Sequence, residues 1–365
     1  MPQEEHPQTA YAAGHVLLVG NSINRLCAGQ SWEELLQSLT KQADPQAHRR
    51  RGDKPFTLFF EELRNRYVYR EKGRPDEFMD AIGESFRALP STPLHRRLME
   101  LPFREVFTTN YDYALEKSVA ASENYALPSD DFGARETKFS LFRKRRAGGK
   151  NVWHIHGEAA MPTSIMLGHD HYTDYAAQAR RYFYQGAVYR GTGAFRSGLQ
   201  RDVGMFDQPS DGRPYSWVDL FVRDNVHIGG FSFDFSESLL WYLVSYRRRR
   251  RDIMLRAGVP LSPSEVTFYY FSDREPDPRR LSIVEVLESF DVRCVEIDRS
   301  KGGYAGGWEN LIRRWETVLG VEKPPPEPPA PTPTPTPAPV LVPPPAAEDV
   351  KTFSREETQE AQKGF

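Results

Sequence analysis

Apolar positions along this chain fall into two alternating patterns. Short runs dominated by Val, Leu, Ile and aromatic residues predict buried strands: "HVLLVG" at 15–20, "REVFTT" at 104–109, "NVWHIH" at 151–156, "NVHIGG" at 225–230, "EVTFYYF" at 265–271 and "DVRCVEI" at 291–297. Segments with apolar residues at helical spacing lie between or after them: "SESLLWYLVSYRRRR" at 236–250, "LSIVEVLESF" at 281–290 and "WENLIRRWETVL" at 308–319. Strands alternating with helices predict an α/β fold, a Rossmann-like doubly wound and mostly parallel sheet. One helical module, about 31–100, interrupts the alternation; it opens on a capping serine, Ser31, with Glu34 three residues on. After Gly320 the composition turns to "EKPPPEPPAPTPTPTPAPVLVPPPAAE", which favours extended polyproline and no packed core. The expected organisation is a flexible N-terminus at 1–13, a core domain at 14–322, a disordered Pro-rich linker at 323–347, and a polar tail at 348–365 holding at most a short helix.

Doubly wound sheets bind ligands outside the carboxyl ends of their strands. The polar residues fall there: Gly20-Asn21-Ser22, Thr109-Asn110-Tyr111-Asp112, His154 to Gly157, and Gly229 to Ser232. Asn110 and Asp112 either make the turn and cap the next helix or present an amide and a carboxylate to a ligand. Two His-x-His pairs, His154/His156 and His169/His171, stand out among nine histidines. Residues i and i+2 of a strand share a face, so His154 and His156 both approach the crevice and can hold one ion. Asp170, between the other two, reads as a loop residue.

Composition narrows the classes. A net charge of −2 with 27% charged residues gives no global pull toward nucleic acid, although 247–251 is an arginine run that can touch it or serve the negative end of its own helix. Two cysteines, neither in a Cys-x-x-Cys pair, exclude a zinc ribbon. No apolar run is long enough to span a bilayer, and the polar N-terminus lacks a secretory pattern, so a cytoplasmic location without membrane contact is expected.

"VFTTNYD", followed by "WHIHGE", "SIMLGHDHY" and "GGFSFDFSESLLWYL", resembles the sirtuin-like NAD-consuming family, in the branch of bacterial anti-phage effectors, from 20 to about 240. The resemblance implies a hydrolase that cleaves NAD to nicotinamide and ADP-ribose, with NAD as substrate and no metal. It implies His156 as the base, Asn110 as the holder of the nicotinamide ribose and its attacking water, and Asp112 as the acidic support of that strand end. Contacts to phosphate and ribose are carried over to Gly20, Asn21, Ser22, Asn24, Thr109, Gly230 and Ser232. Where the family shows Gly-Ala-Gly, this chain has Gly20-Asn21-Ser22, so side chains stand where a pyrophosphate approaches. The missing zinc ribbon argues against protein deacetylation. An enzyme that drains NAD must be held off, which implies a homo-oligomer or an activating partner such as an ATPase. Two other classes stay open: a module that binds NAD or a related nucleotide without turnover, and a metal-dependent hydrolase built on the His-x-His pairs.

Overall fold

A computed structural model of the protein describes residues 14–27, 32–43, 52–69, 73–120, 140–189, 193–195, 215–258, 264–273 and 277–321. The chain divides into two compact units, Met1–Glu322 and Lys323–Phe365, and every described residue belongs to the first. The flexible N-terminus, the Pro-rich linker and the polar tail expected from the sequence lie outside the described residues.

All six expected strands form. They are β1 (His15–Val19), β2 (Glu105–Thr108), β4 (Lys150–His154), β7 (Asn225–Gly229), β8 (Val266–Ser272) and β9 (Val292–Asp298). A short strand, β3 (Arg145–Ala147), pairs antiparallel on the β4 edge, and the sheet order is β3-β4-β2-β1-β7-β8-β9. The six parallel strands, numbered by their order in the chain, run 3-2-1-4-5-6, the doubly wound dinucleotide-binding order. The order reverses between β1 and β7, which pair in parallel with Leu17 opposite His227 and Val19 opposite Gly229. A ligand crevice is therefore expected above Val19 and Gly229. A separate hairpin joins β5 (Ala187–Tyr189) to β6 (Gly193–Phe195).

Strand alternation sends two apolar sets to opposite faces. Val16, Leu18, Phe107, Trp153, Val226, Ile228 and Phe268 pack under α6 (His169–Gln185), α7 (Trp217–Arg223), α8 (Ser238–Arg256) and α9 (Pro278–Ser289). Leu17, Val19, Val106, Val152 and Tyr269 meet α4 (Pro93–Glu100), α5 (Ala114–Val119) and the Trp308, Leu311 and Trp315 side of α10 (Gly303–Val318). The result is a three-layer sandwich of helices around the sheet.

The helical module divides. Helices α1 (Trp32–Ala43), α2 (Phe56–Tyr69) and α3 (Pro75–Arg87) share a third cluster with Tyr111, Tyr113, Ala159, Ile165 and Leu167. Those five follow β2 and β4, so this cluster packs against the loops at the carboxyl ends of both strands. Helix α4 instead belongs to the α10 face, to which Arg97 adds ion pairs with Glu309 at 2.5 Å and Glu316 at 3.1 Å.

The arginine run in α8 is largely committed to the fold. Arg247 donates to the carbonyls of Phe221 and Asp224 at 2.7 Å each, tying α8 to the end of α7. Arg248 and Arg251 both reach Asp291, at 3.2 and 2.7 Å. The run therefore does not sit at the negative end of its own helix, which continues to Arg256; Arg247 instead satisfies the last carbonyls of α7, and the ion pairs to Asp291 leave a weak case for a nucleic-acid stripe.

Candidate active site

The crevice expected at the switch point is present. A cleft with about 230 Å³ of internal space is lined by Asn21, Ser22 and Arg25 after β1, Thr109 after β2, Gly230 to Ser232 and Glu237 after β7, and Tyr269, Phe271, Arg280, Arg299 and Tyr304 on the β8–β9 side. Gly20 is glycine because the neighbouring loop crosses it; a Cβ there would lie 2.5 Å from the Gly230 carbonyl oxygen and 2.6 Å from Phe231 Cα. The Gly20 and Ser22 N–H groups donate to the carbonyls of Gly229 and Gly230, at 3.0 and 3.1 Å, stitching the two strand ends together. Ser22 Oγ is buried without a hydrogen-bond partner beside them.

Of the residues expected from the sequence, Asn21, Ser22, Thr109, Gly230 and Ser232 line this cleft, while Gly20, Asn24, Asn110, Asp112 and His156 are buried behind or beside it. Thr108 and His154 are register partners across β2 and β4, so Asn110 and His156 each follow two residues past that pair, on adjacent strand ends. Asn110 Oδ1 and His156 Nδ1 are both buried and have no hydrogen-bond partner. His156 Nε2 lies 3.2 Å from Glu237 Oε2, and Glu237 also lines the cleft. An imidazole whose Nε2–H is held by a carboxylate keeps its Nδ1 lone pair free to accept a proton. Tyr172 packs edge-on against the ring, with centroids 5.4 Å apart.

The two histidines of this strand do not share surroundings, contrary to the alternation argument. β4 stops at His154 and the chain turns, with Gly157 N–H donating to the His154 carbonyl at 3.2 Å, so period-two alternation has ended before His156. His154 points into a buried polar layer: Nδ1 donates to the Asn110 carbonyl at 3.1 Å and Nε2 to Glu116 at 2.7 Å. Burial opposes a charge on His154, yet the Glu116 carboxylate overcomes it and raises its pKa. The layer continues through Glu158, which accepts from Arg145 Nε at 2.6 Å and from the Tyr113 hydroxyl at 2.9 Å. Burial pushes the Glu158 pKa up, but His154 and Arg145 outweigh it, leaving it below the ordinary carboxylate range. His154 therefore anchors the Asn110 backbone from beneath.

Gly157 makes the turn after His156 possible. Its φ is +90°, and a Cβ would stand 2.1 Å from the Ser164 carbonyl oxygen, a backbone atom that cannot swing aside. Gly157→Ala is expected to cost about 2 kcal/mol or more and to displace His156. Thermal unfolding checks the first part, and an unchanged melting temperature would refute it.

Asp112 supports the site without facing the cleft. Its Oδ1 accepts from Ala114 N–H at 2.9 Å and its Oδ2 from Asn24 Nδ2 at 2.6 Å, so it ties the loop after β2 to the loop after β1. Burial raises its pKa, against the pull of those bonds. Asn24 Nδ2 also reaches Asn21 Oδ1 at 3.0 Å, and Asn24 Oδ1 lies 3.1 Å from His95 Nε2. Because His95 Nδ1 accepts from Thr92 N–H at 3.1 Å as part of the α4 capping box, its Nε2 carries the proton and donates to Asn24.

His95 is neutral in this arrangement, and burial lowers its pKa from 6.5 to about 4. His227, 5% exposed and beside His15, is lowered to about 4, first by burial and then by that neighbour. A lowered histidine pKa gives stability that is complete above pH 6.5 and is lost as pH falls from there toward 4, where the unfolded chain binds the extra proton. The full loss is on the order of 3 kcal/mol per group. His154 acts oppositely, contributing below its unfolded value and losing that contribution as pH rises through its raised folded value. Melting temperature should fall between pH 6.5 and 5 and fall less in His95→Gln; parallel curves for the two proteins would refute the assignment to His95.

The second His-x-His pair opens helix α6, and Asp170 is in its first turn instead of a loop. His171 Nδ1 accepts from the Leu167 and Gly168 N–H groups at 3.1 and 3.2 Å, which makes it a cap for the helix start. Glu61, Asp170 and His171 form a three-residue group of metal-ligand type among the described residues. Arg64 is in ion pairs with both of its carboxylates, at 3.0 and 3.5 Å, a cation already serving that charge. With His154 bonded at both nitrogens and His171 Nδ1 capping a helix, neither pair, among the described residues, presents two free imidazoles to one ion.

Sequence reasoning passed over Glu237, Arg25, Arg280, Arg299 and Tyr304, all of which line the cleft. Glu237 stood inside the quoted "GGFSFDFSESLLWYL" but carries no pattern separating it from a helix-start acid. Helix α6 had a legible signal in buried Tyr172, Tyr175, Ala179, Tyr182 and Phe183 at helical spacing, built from aromatics instead of aliphatics.

Residues 104–191 match the SIR2-like domain, a span that contains Thr109, Asn110, Asp112, His156 and Gly157 and leaves the loops after β1 and β7 outside. The chain is 28% identical over 148 residues to the NAD(+) hydrolase ThsA of Acinetobacter baumannii, across 40% of this chain. That stretch covers 27% of the length of the relative.

Proposed function

We propose that this chain, which carries a SIR2-like domain at 104–191, is an NAD glycohydrolase releasing nicotinamide and ADP-ribose. The observation that carries the reading is the pair of buried, unpartnered acceptors, His156 Nδ1 and Asn110 Oδ1, on adjacent strand ends beside the switch-point cleft. The likeness to a protein named as an NAD(+) hydrolase supports it.

The chemistry asks for little else. When the bond between ribose and the pyridinium nitrogen breaks, its electron pair leaves with nicotinamide and cancels the ring charge. The leaving group departs neutral and needs no acid, unlike the alcohol released by ordinary glycosidases, which take a carboxylic acid for that step. What remains is an oxocarbenium-like sugar and a water. His156 Nδ1 takes the proton of the water as its oxygen bonds to the anomeric carbon, and Glu237 balances the imidazolium that results. Asn110 Oδ1 offers a neutral acceptor to the cationic sugar or its water. Asp112, through Asn24, holds the loops after β1 and β2 in register for this.

On the same reading the chain is the toxic effector of a bacterial anti-phage system, kept silent until a partner such as an ATPase, or its own assembly into an oligomer, switches it on. The family resemblance supports that role, and the toxicity of NAD loss requires the restraint.

The test is product analysis of the activated protein given NAD, with and without chelator, both purified over a range of concentrations that lets it assemble and expressed in cells whose NAD is followed beside His156→Ala. Equal amounts of nicotinamide and ADP-ribose, unaffected by chelator, are expected. Tight NAD binding without products would instead favour a sensing module, and chelator-sensitive turnover a metal-dependent hydrolase.

A further inference from the structure

We infer that the cleft selects a dinucleotide carrying an additional phosphate on its adenosine ribose, NADP over NAD, and that Arg280, with Arg299 and Arg25, reads that phosphate. The inference rests on the glycohydrolase reading of the same cleft.

The charge inventory of the lining points there. Arg25 after β1, Arg280 in α9 and Arg299 after β9 bring three guanidinium groups to one cleft from three parts of the chain. Glu237 is the one carboxylate among the described lining residues, and His156 holds it. Dinucleotide sites that take NAD commonly place an acid against the ribose hydroxyls, whereas sites that take NADP place an arginine there for the phosphate. Among the described lining residues no second acid is present, and three arginines are.

The arginines are also preorganised. Arg25 Nη1 donates to the Tyr304 hydroxyl at 2.8 Å, and the Arg25 and Arg299 guanidinium carbons lie 4.9 and 4.1 Å from the centroid of the Tyr304 ring. Arg299 also pairs with Asp273, which partly neutralises it. Arg280 Nη1 donates to the Ser232 carbonyl at 3.1 Å, and its described bonds include no carboxylate. Burial lowers its pKa from the usual guanidinium value, against the pull of the nearby Asp277 carboxylate. A pyrophosphate seated on the Ser22 and Gly230 turns would leave Arg280 and Arg299, on the β8–β9 side, facing the rest of the adenosine half. A dianionic phosphate there accepts fork-shaped hydrogen bonds that a ribose hydroxyl cannot.

Two measurements on the full chain test this. The first is kcat/KM for NADP and NAD, in wild type and in Arg280→Gln and Arg299→Gln. A charge-assisted bond pair predicts a preference of about tenfold or more for NADP, falling toward parity in Arg280→Gln and partway in Arg299→Gln. The second is calorimetric binding of ADP-ribose and its 2′-phosphorylated form to His156→Ala, with the same preference expected in binding and the same loss on adding Arg280→Gln. Equal handling of the two ligands by the unsubstituted arginine site, or a preference that survives both arginine changes, overturns the inference while leaving the glycohydrolase reading standing. Binding that prefers the phosphorylated form without turnover of either dinucleotide removes the hydrolase reading and keeps the phosphate site. Failure to bind either form, together with no turnover of either dinucleotide by the wild type, overturns both.

Discussion

His156→Ala is expected to lower the rate of NAD cleavage by about 10² to 10⁴-fold, the usual contribution of a positioned base, with little loss of stability. Its Nδ1 has no partner to lose and its Nε2 bonds only Glu237 at the rim. His154→Ala should behave in the opposite sense. It strips Glu116 of a bond of 2.7 Å in a fully buried layer and frees the Asn110 carbonyl, so it should destabilise the protein and reduce activity only in part. Nicotinamide release followed by chromatography, alongside thermal melts of both variants, separates the two. Normal turnover in His156→Ala sinks the assignment, as does stoichiometric metal that both substitutions release.

The second large effect is on stability. Glu158 is fully buried and faces Arg145 at 2.6 Å and Arg143 at 3.8 Å, both arginines at most a few per cent exposed. Glu158→Gln keeps the shape but leaves two buried guanidinium groups without their shared counter-charge, a loss of about 3–5 kcal/mol by analogy with other broken buried pairs. Urea unfolding should show it as a lower midpoint with an unchanged slope. Adding Arg145→Met should restore part of the loss, because removing both members of a buried pair is milder than removing one. A single variant within about 1 kcal/mol of wild type would show that water or rearrangement already screens this layer. Since the layer carries His154, and His154 carries the Asn110 backbone, a destabilised Glu158→Gln should also lose activity.

The sequence by itself determined the sheet and the positions of its strand ends. Runs such as "HVLLVG" and "EVTFYYF" are mostly buried on both faces and so are mostly apolar, which makes them readable without partners, and all six formed strands. Because few polar residues lie inside such runs, most collect at the carboxyl ends, and Asn110, His156, Ser22 and Gly230 could be picked out there. Only the tertiary structure decided what each side chain meets. The turn at Gly157 sends His154 down to Glu116 and His156 up to Glu237, a separation that strand periodicity does not contain. Asp112 became a tie to Asn24, and His95 is a buried donor to Asn24. The arginines of the cleft come from the stretches after β1 and β9 and from α9, far apart in the chain. Hydrophobic spacing records which face of an element is buried, because burial repeats with the backbone. Partners of buried charges are single contacts between distant segments, and no local period encodes them.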